Sequence, residues 1–165
     1  APEERDRVVL HRCSAVSLPD QIQPNSVDLC VTSPPYWNIL NQKRTADYKA
    51  VRHYGNLSDD LGTIADYEEF LDRLADIFRG VYAALRPNAY CCVVVMDLRK
   101  KNRFYPFHSD LAAKLQQIGF EWDDLVIWNR QAEYNNLRPL GYPSVFRVNK
   151  VHEYVLIFQK RVAGK

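Results

Sequence analysis

Between Ile64 and Leu85 an apolar residue returns every third or fourth position, at Ile64, Tyr67, Leu71, Leu74, Phe78, Val81 and Leu85. That spacing lays them along one stripe of an amphipathic helix of about five or six turns. Thr63 stands where an N-cap belongs, Asp66 three residues on resembles a capping box with Asp in place of Glu, and Arg86-Pro87-Asn88 supplies the stop. Residues 89–96 are continuously apolar, as in a strand buried on both faces of a parallel sheet. A second helix is predicted over 109–118, closed by Gly119. Short β-branched or apolar runs at 7–11, 27–32, 124–128 and 153–159 read as further strands. Residues 18–26 form a turn-rich connector with one helical turn, 38–62 a long surface loop, and 129–149 a polar, Pro-bearing loop.

Helices alternating with buried strands predict an α/β domain of three layers around a mostly parallel sheet. The helix-free connection before 153–159 predicts one terminal antiparallel strand. A length of 165 residues fits a single domain.

Composition narrows the classes. With 47% hydrophobic and 25% charged residues, wholesale disorder is excluded. Lys and Arg total 22 against 20 Asp and Glu, so nucleic acid is a partner only if the basic groups gather on one face. The longest apolar runs, 91–96 and 154–158, fall far short of the roughly 18 residues that span a bilayer, which predicts no membrane passage. The start of the chain mixes both charge signs and does not read as a secretory signal. Cys13, Cys30, Cys91 and Cys92 form no C-x-x-C pair, and Cys91 and Cys92 are expected on opposite faces of a strand. A reducing, cytoplasmic setting is the simplest reading. No metal is expected: Leu156 stands where H-E-x-x-H would need a second histidine after His152-Glu153, and His11, His53 and His108 have no partner at ligand spacing. Neither a G-x-S-x-G elbow nor a P-loop is present.

In an open α/β sheet ligands bind beyond the carboxyl ends of the strands. After the second predicted strand stands Thr32-Ser33-Pro34-Pro35-Tyr36-Trp37. Each proline keeps the residue before it extended, so the corner is stiff, and the carbonyls of Ser33 and Pro34 remain as outward acceptors. A rigid acceptor, a hydroxyl and an aromatic face suit a flat ligand bearing an amino group, such as a nucleobase extruded from a duplex. The base would stack on Tyr36 while its amine donates to Ser33 and a neighbouring carbonyl. The bland alternative is a Pro-Pro turn that merely caps a strand.

This string, preceded by Ser26-Val27-Asp28-Leu29-Cys30-Val31, resembles the catalytic motif of the amino-methylating DNA methyltransferases, the cytosine-N4 and adenine-N6 family. The Ser-Pro-Pro-Tyr form is more typical of the cytosine members. Asp66-Tyr67-Glu68-Glu69-Phe70, Leu85-Arg86-Pro87-Asn88, Asp97-Leu98-Arg99 and the run from Val151 to Phe158 resemble the same family in the same order. The resemblance implies a Rossmann-like methyltransferase sheet, S-adenosyl-L-methionine as methyl donor, and double-stranded DNA as partner. It also implies Ser33, Pro34, Pro35 and Tyr36 as the residues that hold the target base; Thr32, and Asp97 by its place after the third predicted strand at the same sheet edge, are read as cofactor contacts. Arg12-Cys13 stands where many relatives have Gly-Asp, and no G-x-G occurs, so the chain is expected to be an incomplete, catalytic half. The target-recognition and cofactor-loop segments would then lie outside it.

Asp97 could instead cap the next turn. Arg99, Lys100, Lys101 and Arg103, interleaved with Phe104, Tyr105 and Phe107, are read together with Trp37 and Arg138 as nucleic-acid contacts, the alternative being a solvated charged loop. Two further functions compete with base methylation: a non-catalytic nucleic-acid-binding module on the same fold, and a small-molecule amine methyltransferase.

Overall fold

The computed structural model describes residues 8–39, 60–133, 139–140 and 143–161. A 3₁₀ turn at Ala15–Ser17 and a short helix α1 (Leu18–Gln21) lead into β1 (Val27–Thr32). A second 3₁₀ turn (Leu61–Thr63) precedes α2 (Tyr67–Ala84), which runs directly into β2 (Leu85–Val95). A small hairpin, β3 (Leu98–Lys100) and β4 (Arg103–Tyr105), then leads to α3 (Phe107–Ile118) and β5 (Glu121–Asn129). The two-residue strands β6 (Pro139–Leu140) and β7 (Arg147–Val148) precede β8 (His152–Gln159).

Four strands make the main sheet in the order β1-β2-β8-β5. β1 and β2 are parallel, and β8 runs antiparallel to both β2 and β5. Three strands therefore share one direction, and β8 is the antiparallel one expected. Its position is interior, with a neighbour on either side.

The helices α2 and α3 pack on one face. From α2 come Tyr67, Phe70, Leu71, Leu74, Phe78 and Val81, and from α3 Phe107, Leu111, Ala112 and Leu115, against Cys91, Val93, Val95, Leu156 and Phe158 of the sheet. All five sheet residues lie on one face by register, since Cys91 pairs with Phe158, Val93 with Leu156 and Val95 with Tyr154. Cys91 and Cys92 point to opposite faces, the first buried and the second half-buried. Among the described residues the other face carries no helix: Leu29, Val31, Tyr90 and Val126 are exposed there. The described residues thus supply two of the three expected layers.

Three local expectations shift. The α2 cap is Asp66, whose carboxylate accepts from the Glu69 amide at 2.9 Å, because Thr63 is spent closing the preceding 3₁₀ turn and Ile64 is extended. Residues 8–11 form no strand: a β-branched run needs a hydrogen-bonding neighbour, none of the described residues supplies one, and Val8, Val9 and Leu10 are exposed. The basic segment after β2, read as a loop, is the β3–β4 hairpin. Gly119 ends α3 as expected, at φ 120°, with a Cβ there falling 3.1 Å from the Tyr82 hydroxyl. Most of the predicted 38–62 loop and part of 129–149 lie outside the described residues.

Candidate nucleic-acid and base site at the carboxyl edge

β1 ends at Thr32, whose register partner is Val93, so Ser33 leaves the sheet at its carboxyl edge beside β2. Ser33 is exposed, Pro34 buried, and Pro35 and Tyr36 half-buried. The Ser33 hydroxyl lies 3.5 Å from the Tyr36 hydroxyl, so two of the four motif side chains face the same point. Among the described residues the carbonyls of Ser33 and Pro34 accept no hydrogen bond. The Tyr36 carbonyl is used, accepting from the Ile39 amide at 3.3 Å across a tight turn.

That turn places Trp37 at φ 49°, a left-handed conformation a bulky residue adopts only when its surroundings enforce it. The enforcement is visible. Trp37 is 3% exposed, its indole N–H donates to the Ile64 carbonyl at 2.9 Å, and Tyr67 and Tyr105 meet its ring edge-on at 5.2 and 5.1 Å. The sequence reading makes Trp37 a nucleic-acid contact; the structure makes it a core residue, because its large apolar ring is closed over by two tyrosines. It anchors the corner and leaves Tyr36 turned toward the edge.

Asp97, two residues past β2, is 5% exposed. Its Oδ1 accepts from the His108 amide at 3.2 Å and lies 2.6 Å from His108 Nδ1, while Oδ2 accepts from the Tyr154 hydroxyl at 3.3 Å. The geometry matches the capping role expected of it: the carboxylate satisfies a free amide in the first turn of α3. His108 stacks on Tyr154 at 4.2 Å, which locks the cluster. Burial, with the Asp97 charge added, pushes the Tyr154 hydroxyl above its usual pKa. His108 and Tyr154 escape a sequence reading, the only local signal being a polar residue at the second position of a helix behind a proline.

The hairpin gathers the basic residues. Lys100 Nζ sits 3.9 Å over the Trp37 ring and donates to Asn38 Oδ1 at 3.1 Å, tying β3 to the Pro-Pro corner. Arg99 and Lys150 flank the Phe104 ring at 5.5 and 4.6 Å, and Arg103 lies over Tyr105 at 4.9 Å. Arg147 donates to the Lys101 carbonyl and to Asn102 Oδ1, both at 3.3 Å. Desolvation, reinforced by Lys101, lowers the Lys100 ammonium below its usual pKa. Burial lowers Lys150, Asp97 opposing and Arg99 adding to it. A cleft of about 510 Å³ opens between the hairpin and the start of α2, lined by Trp37, Asp66, Tyr67, Lys100, Arg103 and Tyr105 among others. Arg138 lies outside the described residues. The structure therefore brings together Thr32 through Tyr36, Asp97 and the four hairpin cations at one sheet edge.

Among the described residues no group of three His, Cys, Asp or Glu side chains could hold a metal ion. No described helix is long and apolar enough to cross a membrane.

Comparison with known proteins bears on the same region. The sequence profile described as DNA methylase matches residues 27–163. The type II methyltransferase M.MjaI of Methanocaldococcus jannaschii is 27% identical over 157 residues, covering 86% of this chain and 52% of the relative. M.MjaVI of the same organism is 31% identical over 116 residues, covering 70% of this chain and 50% of the relative. A protein of Thermus thermophilus, TTHA0409, described as a DNA modification methylase and solved with S-adenosyl-L-methionine, superposes with a TM-score of 0.62 at 27% identity, over 92% of this chain and 54% of that one. The cytosine-N4-specific PvuII DNA methyltransferase shares the fold at a TM-score of 0.63 and 18% identity, over 90% and 47%. The chain thus spans about half the length of these relatives. With the motif at the sheet edge and the profile running over most of the sequence, the chain belongs to the family of amino-methylating, S-adenosyl-L-methionine-dependent DNA methylases.

Proposed function

We propose that this chain is the base-handling part of a DNA methyltransferase that moves a methyl group from S-adenosyl-L-methionine to the exocyclic amine of an extruded base, cytosine N4 ahead of adenine N6. The observation that carries this reading is the pairing of the Ser33 and Tyr36 hydroxyls at 3.5 Å on a proline-stiffened corner whose Ser33 and Pro34 carbonyls accept no hydrogen bond among the described residues. When bound, the donor supplies an electrophilic methyl on a sulfonium. Among the described residues the glycines Gly62, Gly80 and Gly119 stand in no G-x-G. We therefore assign the donor's main contacts to a cofactor-binding part outside this chain and treat Thr32 as the residue nearest that junction.

For the base, the chain's own groups suffice to derive a role. An amine conjugated with its ring is a poor nucleophile, and acceptors that take its N–H bonds draw the lone pair out of conjugation. Ser33 Oγ and the Ser33 and Pro34 carbonyls are such acceptors, fixed in place before the base arrives. Tyr36 supplies a stacking face, and Pro34 and Pro35 keep the corner from relaxing. Cations of the hairpin hold phosphates of the double-stranded DNA from which the base is drawn. A DNA substrate and four free cysteines fit the reducing cytoplasm.

The test is transfer of label from S-adenosyl-L-methionine to DNA by the intact protein, followed by digestion and mass analysis of the nucleosides. N4-methylcytosine is the expected product, and N6-methyladenine would reassign the base. Carbon-5 methylcytosine or a covalent protein–DNA adduct would overturn the mechanism. A second reading, a binding module without activity on the same fold, predicts retained DNA binding with no labelled product.

A further inference from the structure

Several described cations are neutralised: Lys114 pairs with Asp72 at 2.6 Å and Glu68 at 3.6 Å, Arg161 with Glu121 at 2.8 Å and Asp123 at 3.3 Å, and Arg130, just past β5, with Glu133 and Glu153 at 2.6 Å each. Lys160, at the opposite end of β8, donates instead to Asn25 Oδ1 and the Leu85 carbonyl. Around the hairpin, Arg99, Lys100, Lys101, Arg103, Arg147 and Lys150 pair with no carboxylate among the described residues, and all but Lys101 lean instead on carbonyls, amide oxygens and aromatic rings. Amid them Phe104 is 42% exposed, whereas its neighbours Tyr105 and Phe107 turn inward, toward Trp37 and Phe70. The exposed ring has the Arg99 guanidinium 5.5 Å and the Lys150 ammonium 4.6 Å from its centre, so it stands among positive charges at the surface.

The hairpin is also stiff. Its two-residue turn is tied by Arg147 from β7, and its first strand by Lys100 to Asn38 and Trp37, one residue beyond the motif tyrosine. We infer that the β3–β4 hairpin is a DNA-stacking element, in which Phe104 packs on a base beside the extruded one while Lys101 and Arg103 take flanking phosphates. The inference rests on the reading of the site as a DNA base site and adds the residue that occupies the disturbed stack. Aromatic stacking on a base is sequence-tolerant and independent of salt, whereas phosphate contacts release counterions, so the two halves of the claim separate experimentally.

The experiment is equilibrium binding of the intact protein to a mixed-sequence duplex carrying one mismatched cytosine, read by fluorescence anisotropy across a salt series. Phe104→Ala should weaken binding about tenfold at every salt concentration with the slope of log K against log salt unchanged, and Phe104→Trp should restore it. Lys101→Ala and Arg103→Ala should each flatten that slope by about 0.9. Unchanged affinity in Phe104→Ala, with binding and methylation intact, overturns the stacking role alone. A slope unmoved by both cation variants overturns the phosphate role. Failure of the unaltered protein to bind DNA at all overturns both this inference and the reading it rests on.

Discussion

The helix-covered face of the sheet and its carboxyl edge are made from similar residues, aromatic rings and charged side chains, used in opposite ways. Under α2 and α3, Phe70, Phe107 and Phe158 are wholly buried, and charges on the outer surface of the two helices pair across it, as Lys114 does with Asp72 and Glu68. At the edge, Phe104 is 42% exposed, Tyr36 is half-buried against the core, and the hairpin cations lack carboxylate partners among the described residues. The first region saturates its interactions within the fold, whereas the second leaves donors, acceptors and π-faces open for a partner. Stability and chemistry should therefore respond to different substitutions, and four measurements sharpen or break that division.

The largest effect is expected from Phe70→Ala. It empties a fully buried site between α2 and α3 and should lower unfolding free energy by about 3–5 kcal/mol in chemical denaturation, with any surviving folded protein binding DNA normally. Next, Ser33→Ala and Tyr36→Ala should cut methyl transfer by about 100- to 1000-fold in initial-rate assays. Because Ser33 is exposed, its variant should keep its melting temperature; a large loss of stability there would break the division.

Trp37→Phe crosses the boundary. It strands the Ile64 carbonyl, now bonded at 2.9 Å, and should cost about 1–3 kcal/mol in denaturation while also slowing transfer, since the same ring fixes the corner. The smallest change is expected from Tyr67→Phe, about 1 kcal/mol, through loss of the 3.0 Å bond from its hydroxyl to Asp110. Burial first, then Asp110, pushes the Tyr67 hydroxyl far above the ordinary tyrosine range. The folded state therefore keeps a proton that the unfolded chain gives up near pH 10, and stability should fall as pH rises past that value. In Tyr67→Phe this alkaline loss, followed by melting against pH, should be reduced.

Much of this arrangement was legible in advance. The stripe from Tyr67 to Val81 is periodic because α2 lies against the core along its whole length; the run at 89–96 is a strand as read, but among the described residues only its alternate members Ala89, Cys91, Val93 and Val95 are buried, so the burial expected on both faces is met on one. The Pro-Pro corner could be read because proline restricts its backbone whatever surrounds it. Trp37 could not, since nothing local says whether an indole after a motif tyrosine points outward or inward; the answer lies with Ile64, Tyr67 and Tyr105, which are distant in sequence. Asp97 carries two readings in the sequence, and the capping one emerges only with His108 and Tyr154 beside its oxygens. The run at 7–11 failed for a related reason, as strand formation depends on a neighbour that a periodicity count does not see.

The interior place of β8 has a consequence for how the chain assembles. β5 touches the rest of the sheet through β8 alone, and β8 leaves the ribosome after both of the strands it joins. Until residues 152–159 emerge, β2 and β5 each carry an unzipped margin, and the nascent sheet is two separate pieces. This late segment therefore acts as a wedge that joins them, and disrupting the eight residues of β8 would remove far more order than their number suggests.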